Sequence, residues 1–109
     1  MAEVLGAFEQ AVLLSVLRLN DAAYGRAILK EIQVRLGRDI AAGAVHATLE
    51  RLEQKQLLTS SLGPGTEVRA GRPRRYYKVE PSGRRALNQA RATVDILWRG
   101  FKWPLKGTA

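Results

Sequence analysis

An arginine run punctuated by glycine and proline constrains this chain more than any other feature. Arg69-Ala70-Gly71-Arg72-Pro73-Arg74-Arg75 places four arginines in seven residues and leads directly into Tyr76-Tyr77-Lys78-Val79. Gly71 and Pro73 keep the run out of helix, and the aromatic and branched residues after it favour a strand. Together they predict a basic hairpin tip attached to a small sheet. Arginine suits phosphate because its planar fork donates two parallel charge-assisted hydrogen bonds.

The segments before the run have a helical period. Leu5, Phe8, Val12, Val16 and Leu19 recur at three- and four-residue steps, which predicts a first helix over 3–19 that ends at Asn20-Asp21. Tyr24, Ile28, Ile32 and Leu36, widened by Leu29, predict a second helix over 24–36, with Gly37 at the position of a helix-terminating glycine. After a short connector, Val45, Leu49 and Leu52 define the buried face of a third helix that runs to Gln56. Two helices joined this tightly predict a helix-turn-helix. At about 100° per residue, Gly43, Ala47, Glu50 and Gln54 lie opposite the buried face, flanked by Ala44, His46 and Arg51.

Leu57 to Ser61 and Arg75 to Val79 read as two strands, with a long loop from Gly63-Pro64-Gly65 through the arginine run. Strand alternation turns Tyr77 and Val79 inward and Tyr76 and Lys78 outward. Pro81 suits the first turn of a last helix over 81–100. Its apolar residues Leu87, Ala90, Val94, Leu97, Trp98 and Phe101 are spaced close to a heptad and continue past what a three-helix core needs.

At 109 residues there is room for one domain with one modest core, so added burial through oligomerisation would help it. Eighteen Lys and Arg against ten Asp and Glu give a formal charge of +8, which suits a polyanion such as DNA, RNA or an anionic membrane surface. The absence of cysteine excludes disulfides, thiolate metal sites and cysteine nucleophiles. His46 is the sole histidine, and a lone histidine is no zinc motif. No metal, cofactor or catalytic residue is expected, and no enzyme. The apolar stretch 11–17 is too short for a bilayer span, and Glu3 and Glu9 stand where a signal peptide would be basic. A cytoplasmic protein without a membrane partner is the expectation.

Helix, helix, helix, strand, strand, helix, with arginines at the hairpin tip, describes a winged helix-turn-helix: α+β and mainly helical, with a C-terminal dimerisation helix. Residues 1–80 form the expected DNA-binding domain, 81–103 the dimerisation helix, and 104–109 a frayed tail. The sequence resembles the PadR family of bacterial transcriptional regulators in Tyr24-Gly25, Gly43-Ala44-Val45-His46, Leu49-Glu50-Arg51-Leu52-Glu53, Arg74-Arg75-Tyr76-Tyr77-Lys78-Val79 and Pro81-Ser82-Gly83-Arg84-Arg85-Ala86-Leu87. The Arg-Arg-Tyr-Tyr element followed by a helix opening with glycine and basic residues is the more specific part. The resemblance implies a dimeric repressor whose third helix enters the major groove of double-stranded DNA, whose wing meets the backbone or the minor groove, and whose last helix forms the homodimer. Some multidrug-responsive members bind flat aromatic compounds between tryptophans at the dimer interface, and Trp98 matches that position. Two residues depart from the pattern: Ala41 stands where a serine is common and His46 where a tyrosine is common. Asp39 is then available to cap an earlier helix start.

The expected groove contacts are Gly43, Ala44, His46, Ala47 and Arg51, and the expected backbone contacts are Arg69, Arg72, Arg74, Arg75 and Tyr76. Leu87, Ala90, Val94, Leu97, Trp98 and Phe101 are the expected dimer interface, with Trp98 also the candidate contact for a small planar aromatic effector. Several pairs of readings stay open. Glu50 accepts from a cytosine amino group or pairs with Arg51 or Lys55. His46 contacts DNA or only borders the site. Trp98, Phe101 and Trp103 pack a dimer or wall a ligand. A protein-binding winged helix without specific DNA binding is the alternative for the whole chain.

Overall fold

The computed structural model describes residues 4–63, 68–69 and 72–101, with backbone alone at 68–69 and 72–73. Trp103 and the 104–109 tail lie outside the described residues. Helix α1 (Ala7–Leu19) is central, touching helices α2 (Gly25–Leu36), α3 (Ala42–Gln54) and α4 (Pro81–Trp98) and strand β4 (Arg75–Val79). Val12 and Val16 are buried as the periodicity predicts, and so are Leu13 and Ser15, because α1 is covered on more than one side. The helix begins at Ala7, after Gly6, whose amide donates to Glu9 Oε1 at 3.1 Å. That bond is the half of a capping box that a glycine allows.

A 3₁₀ turn at Asn20–Ala22, with Asn20 at φ 56°, leads to α2. Ile28 and Ile32 are fully buried, and each is worth about 1.5–3 kcal/mol relative to an exposed position. Leu36 departs from the expected stripe and is 45% exposed. The chain turns away immediately after it. Gly37 adopts φ 65°, and the amides of Gly37 and Arg38 return to the Gln33 carbonyl at 2.9 and 3.3 Å. The Gln33 side chain then donates to the Ile40 carbonyl at 3.0 Å, fastening the turn into α3.

Val45, Thr48, Leu49 and Leu52 form the buried face of α3. The helix starts at Ala42 with no side-chain cap on Ala41, so the earlier start capped by Asp39 does not occur. Its far end is closed by Gln56 at φ 63°, with the Leu57 amide returning to the Leu52 carbonyl at 3.0 Å. Strand β1 (Leu58–Leu62) then pairs antiparallel with β4, in a register running from Leu58 opposite Val79 to Leu62 opposite Arg75. The long loop expected between them is partly strand. β2 (Val68–Arg69) and β3 (Arg72–Pro73) pair antiparallel, setting Arg69 opposite Arg72 and extending the hairpin.

The first half of α4 belongs to the same core. Gly83 is buried where a Cβ would fall 2.8 Å from Val79 Cγ1 and run into the Leu57 carbonyl. Only glycine lets the helix approach the sheet this closely. Ser82 Oγ donates to the Gln56 carbonyl at 2.6 Å, and Ala90 is 1% exposed in the core. The helix ends at Trp98, two residues before the expected Gly100. Val94, Ile96, Leu97 and Trp98 in its second half are exposed.

Candidate nucleic-acid interface

The site is built on α3. Gly43, Ala44, His46, Ala47 and Glu50 all face solvent, and nothing lies within 4 Å of where a Gly43 Cβ would be. Small side chains let this face approach a flat or grooved partner closely. Because Ala41 supplies no side-chain cap, the first amides of α3 are left at the positive end of the helix dipole, where an anion is favoured.

Arg51, expected in the groove, is half-exposed and also reaches back toward α1. Its Nε donates to Glu9 Oε2 at 3.4 Å and its Nη2 to Thr48 Oγ1 at 3.3 Å. Lys55 Nζ donates to the same Glu9 oxygen at 3.1 Å. One carboxylate on α1 therefore offsets Arg51 on α3 and Lys55 just past its end, and links the two helices. Partial burial pushes the Glu9 carboxyl up, but the Gly6 amide, Lys55 and Arg51 outweigh it and hold the group below its ordinary pKa.

The wing is braced at its base. Arg74 lies over the Tyr24 ring, 4.2 Å from the centroid, a cation–π contact. Tyr76 meets the same ring edge-on at 5.7 Å. Tyr24 and Tyr76 also form an isolated antiparallel bridge, and the Tyr77 amide donates to the Ala23 carbonyl at 2.8 Å. Tyr76, expected to point outward, is half-buried because Tyr24 covers that face of the strand. Arg75 is exposed, but its Nη1 donates to Ser60 Oγ at 2.9 Å, and Ser60 donates to Glu53 Oε2 at 2.9 Å. Arg69 and Arg72 sit at the tip as a cross-strand pair of the backbone.

Arg26 and Lys30 are not among the residues singled out from the sequence. Both line a groove of about 670 Å³ between α2 and α3, together with His46 and Tyr77. The available signal is a basic pair four residues apart, offset by two from Tyr24 and Ile28 and so on the polar side of α2. Burial raises the Tyr77 phenol pKa, opposed by Arg75 and reinforced by Glu53 and Glu50.

The expected dimer residues divide between two environments. Leu87 packs on the chain's own core and Ala90 is inside it, whereas Val94, Leu97 (68% exposed), Trp98 and Phe101 face solvent, joined by Ile96. Trp98 and Phe101 meet edge-to-face with centroids 6.2 Å apart. No helix among the described residues is long and apolar enough to cross a membrane.

Residues 13–89 match the Transcriptional regulator PadR-like family. The chain belongs to this family. The match runs from the middle of α1 to the middle of α4, so it contains α2, α3 and the wing. This PadR-like chain is 34% identical over 80 residues to transcriptional regulator Rv3488 of Mycobacterium tuberculosis, covering 73% of its own length and 70% of the relative. A PadR family transcriptional regulator from Eggerthella lenta superposes with a TM-score of 0.63 at 30% identity, covering 82% of this chain and 75% of that one. The fold extends to BpsR of Bordetella bronchiseptica, whose DNA binding is regulated by 6-hydroxynicotinic acid. There the TM-score is 0.61 and the identity 19%, over 91% of this chain and 69% of that one. The family consists of transcriptional regulators, not enzymes, and its function is exerted through DNA binding.

Proposed function

We propose that this PadR-like regulator is a homodimeric repressor that binds an inverted-repeat operator. The observation that carries the reading is the small-residue, uncapped start of α3 beside a wing base braced by Tyr24 and carrying Arg74 and Arg75. Helix dipole, small side chains and arginine forks all favour a phosphate-bearing groove. Two copies joined through the exposed half of α4 would present two α3 helices. For helix-turn-helix dimers the half-sites lie one DNA turn apart, about 34 Å. The regions then divide into 1–80 for DNA contact and 81–103 for association.

Arg74 and Arg75, with Arg69 and Arg72 at the tip, serve as phosphate contacts that supply affinity and register. Arg26 and Lys30 extend the same basic surface. Replacing Arg74 and Arg75 together by alanine should weaken binding to all duplexes and lower the slope of log affinity against log salt by roughly two, about 0.9 per lost phosphate contact. Filter-binding titrations over a salt series measure this. An unchanged slope would remove the wing from the mechanism.

A planar aromatic effector is the proposed releasing signal, with Trp98 as its contact. Support comes from the exposed, edge-to-face Trp98 and Phe101 pair and from the regulated DNA binding of the fold neighbour BpsR. Aromatic compounds should quench tryptophan fluorescence, and Trp98→Ala should abolish the quenching while leaving the dimer intact. Loss of the dimer instead would assign Trp98 to packing.

A further inference from the structure

We infer that Glu50, presented beside His46, reads a cytosine in each half-site of the operator; this rests on the DNA-binding reading above. Recognition helices of this motif meet base edges through their N-terminal part. On the exposed face of α3, Gly43, Ala44 and Ala47 carry no polar side-chain group, so the polar positions next along the helix are the ones left to reach the bases. Thr48 is buried, and Arg51 reaches back toward α1, donating to Glu9 and Thr48. His46 and Glu50 therefore supply the hydrogen-bonding side chains on the exposed face from Ala42 to Glu50, and Gln54 lies at the far end of the helix.

These two side chains act as a pair. His46 Nε2 lies 3.5 Å from Glu50 Oε2, with the side chains 68% and 65% exposed, so a donor and an acceptor stand side by side and reach outward together. A carboxylate only accepts. In the major groove the exocyclic donors are the amino groups of cytosine and adenine. Adenine's amino group sits between two acceptors, its own N7 and O4 of the paired thymine, and both repel a carboxylate. Cytosine's amino group has an acceptor on one side only, O6 of the paired guanine, and that atom is the complement of a His46 N–H. The pair thus fits a C·G step. The methyl groups of Ala44 and Ala47 add apolar surface that suits neighbouring thymine methyls.

Replacing that cytosine by thymine turns a donor into an acceptor facing Glu50, and should cost the wild-type protein about tenfold to a hundredfold in affinity. Glu50→Gln both donates and accepts, so its cytosine-to-thymine ratio should fall toward one. Glu50→Ala should lose the preference while retaining or raising affinity for random duplex, because a negative charge leaves the interface. His46→Ala should weaken discrimination at the same base pair and nowhere else.

The experiment is selection of bound duplexes from a random pool by the full chain and by the Glu50→Ala and Glu50→Gln variants, followed by titration of the enriched site and its single-base variants. An enriched cytosine in both half-sites, whose preference disappears in Glu50→Ala, supports the assignment. Selection of the same bases by wild type and Glu50→Ala overturns it while leaving DNA binding intact. Failure of the wild type to bind duplex in a salt-sensitive manner overturns the DNA-binding reading and this assignment with it.

Discussion

The outer face of α3 and the second half of α4 are both exposed helical surface, yet their chemistry is opposite. On α3 the exposed positions from Ala42 to Glu50 are glycine, alanines and a polar pair. On α4 valine, isoleucine, leucine and tryptophan are exposed between Val94 and Trp98, with Asp95 among them. A contiguous apolar patch on a small regulator marks a surface for another macromolecule or a ligand. A face of small residues near an uncapped helix start marks close approach to an anion. The difference teaches that exposure alone is uninformative, and that what is exposed distinguishes the surface proposed for association from the one proposed for DNA.

Breaking α4 should give the largest effect. Leu97→Asp puts a carboxylate where apolar association is proposed, at a cost of about 3 kcal/mol or more, or a hundredfold in the dimer constant. Sedimentation should show monomer, operator affinity should collapse with the loss of two-site binding, and the monomer's secondary structure should be unchanged. A Leu97→Asp protein that still sediments as a dimer would take α4 out of the interface. A smaller and opposite pattern is expected on α3. Gly43→Ala meets no neighbour and replaces the poorest non-proline helix former, so thermal stability should rise by up to about 1 kcal/mol. Association should be untouched, and operator binding should weaken several-fold, because an added methyl group holds the backbone off the groove. Equal or tighter binding would show that this face does not approach DNA closely.

The smallest effect concerns the tether between α1 and α3. Because the folded-state pKa of Glu9 lies below its ordinary value, the stabilisation is present above that ordinary value, near pH 4. It is lost as pH falls through the lowered one. Thermal melts from about pH 6 to pH 3 should therefore fall less steeply for Glu9→Gln than for wild type. Parallel curves would mean that the Arg51 and Lys55 contacts contribute nothing measurable. The same variant leaves α4 unaltered, so its oligomeric state should match the wild type.

The elements themselves were legible. Four-residue spacing found α2, Gly37 marked its end, and the run from Arg75 to Val79 emerged as the strand it resembles. Legibility failed where a residue's fate depends on distant chain. Leu13 and Ser15 fall off the main stripe of α1, and only the arrangement of its neighbours buries them. Glu9 and Arg51 are 42 positions apart, so no local pattern warned that an expected groove contact would be drawn back to α1. Tyr76 alternates outward correctly, but Tyr24 waits on that side. Arg26 and Lys30 escaped notice because a basic pair on a polar helix face is ordinary until a groove opens beside it.

Gly83 has one further consequence. Its missing methyl group fixes how deeply α4 sits against Leu57 and Val79, and hence the direction in which the helix leaves the core. In a dimer joined beyond Ala90, that exit angle acts as a ruler, since a small tilt at Gly83 is multiplied along the helix into a change in the separation of the two α3 helices. The operator's half-site spacing would then be written in the protein at a residue that never comes near DNA.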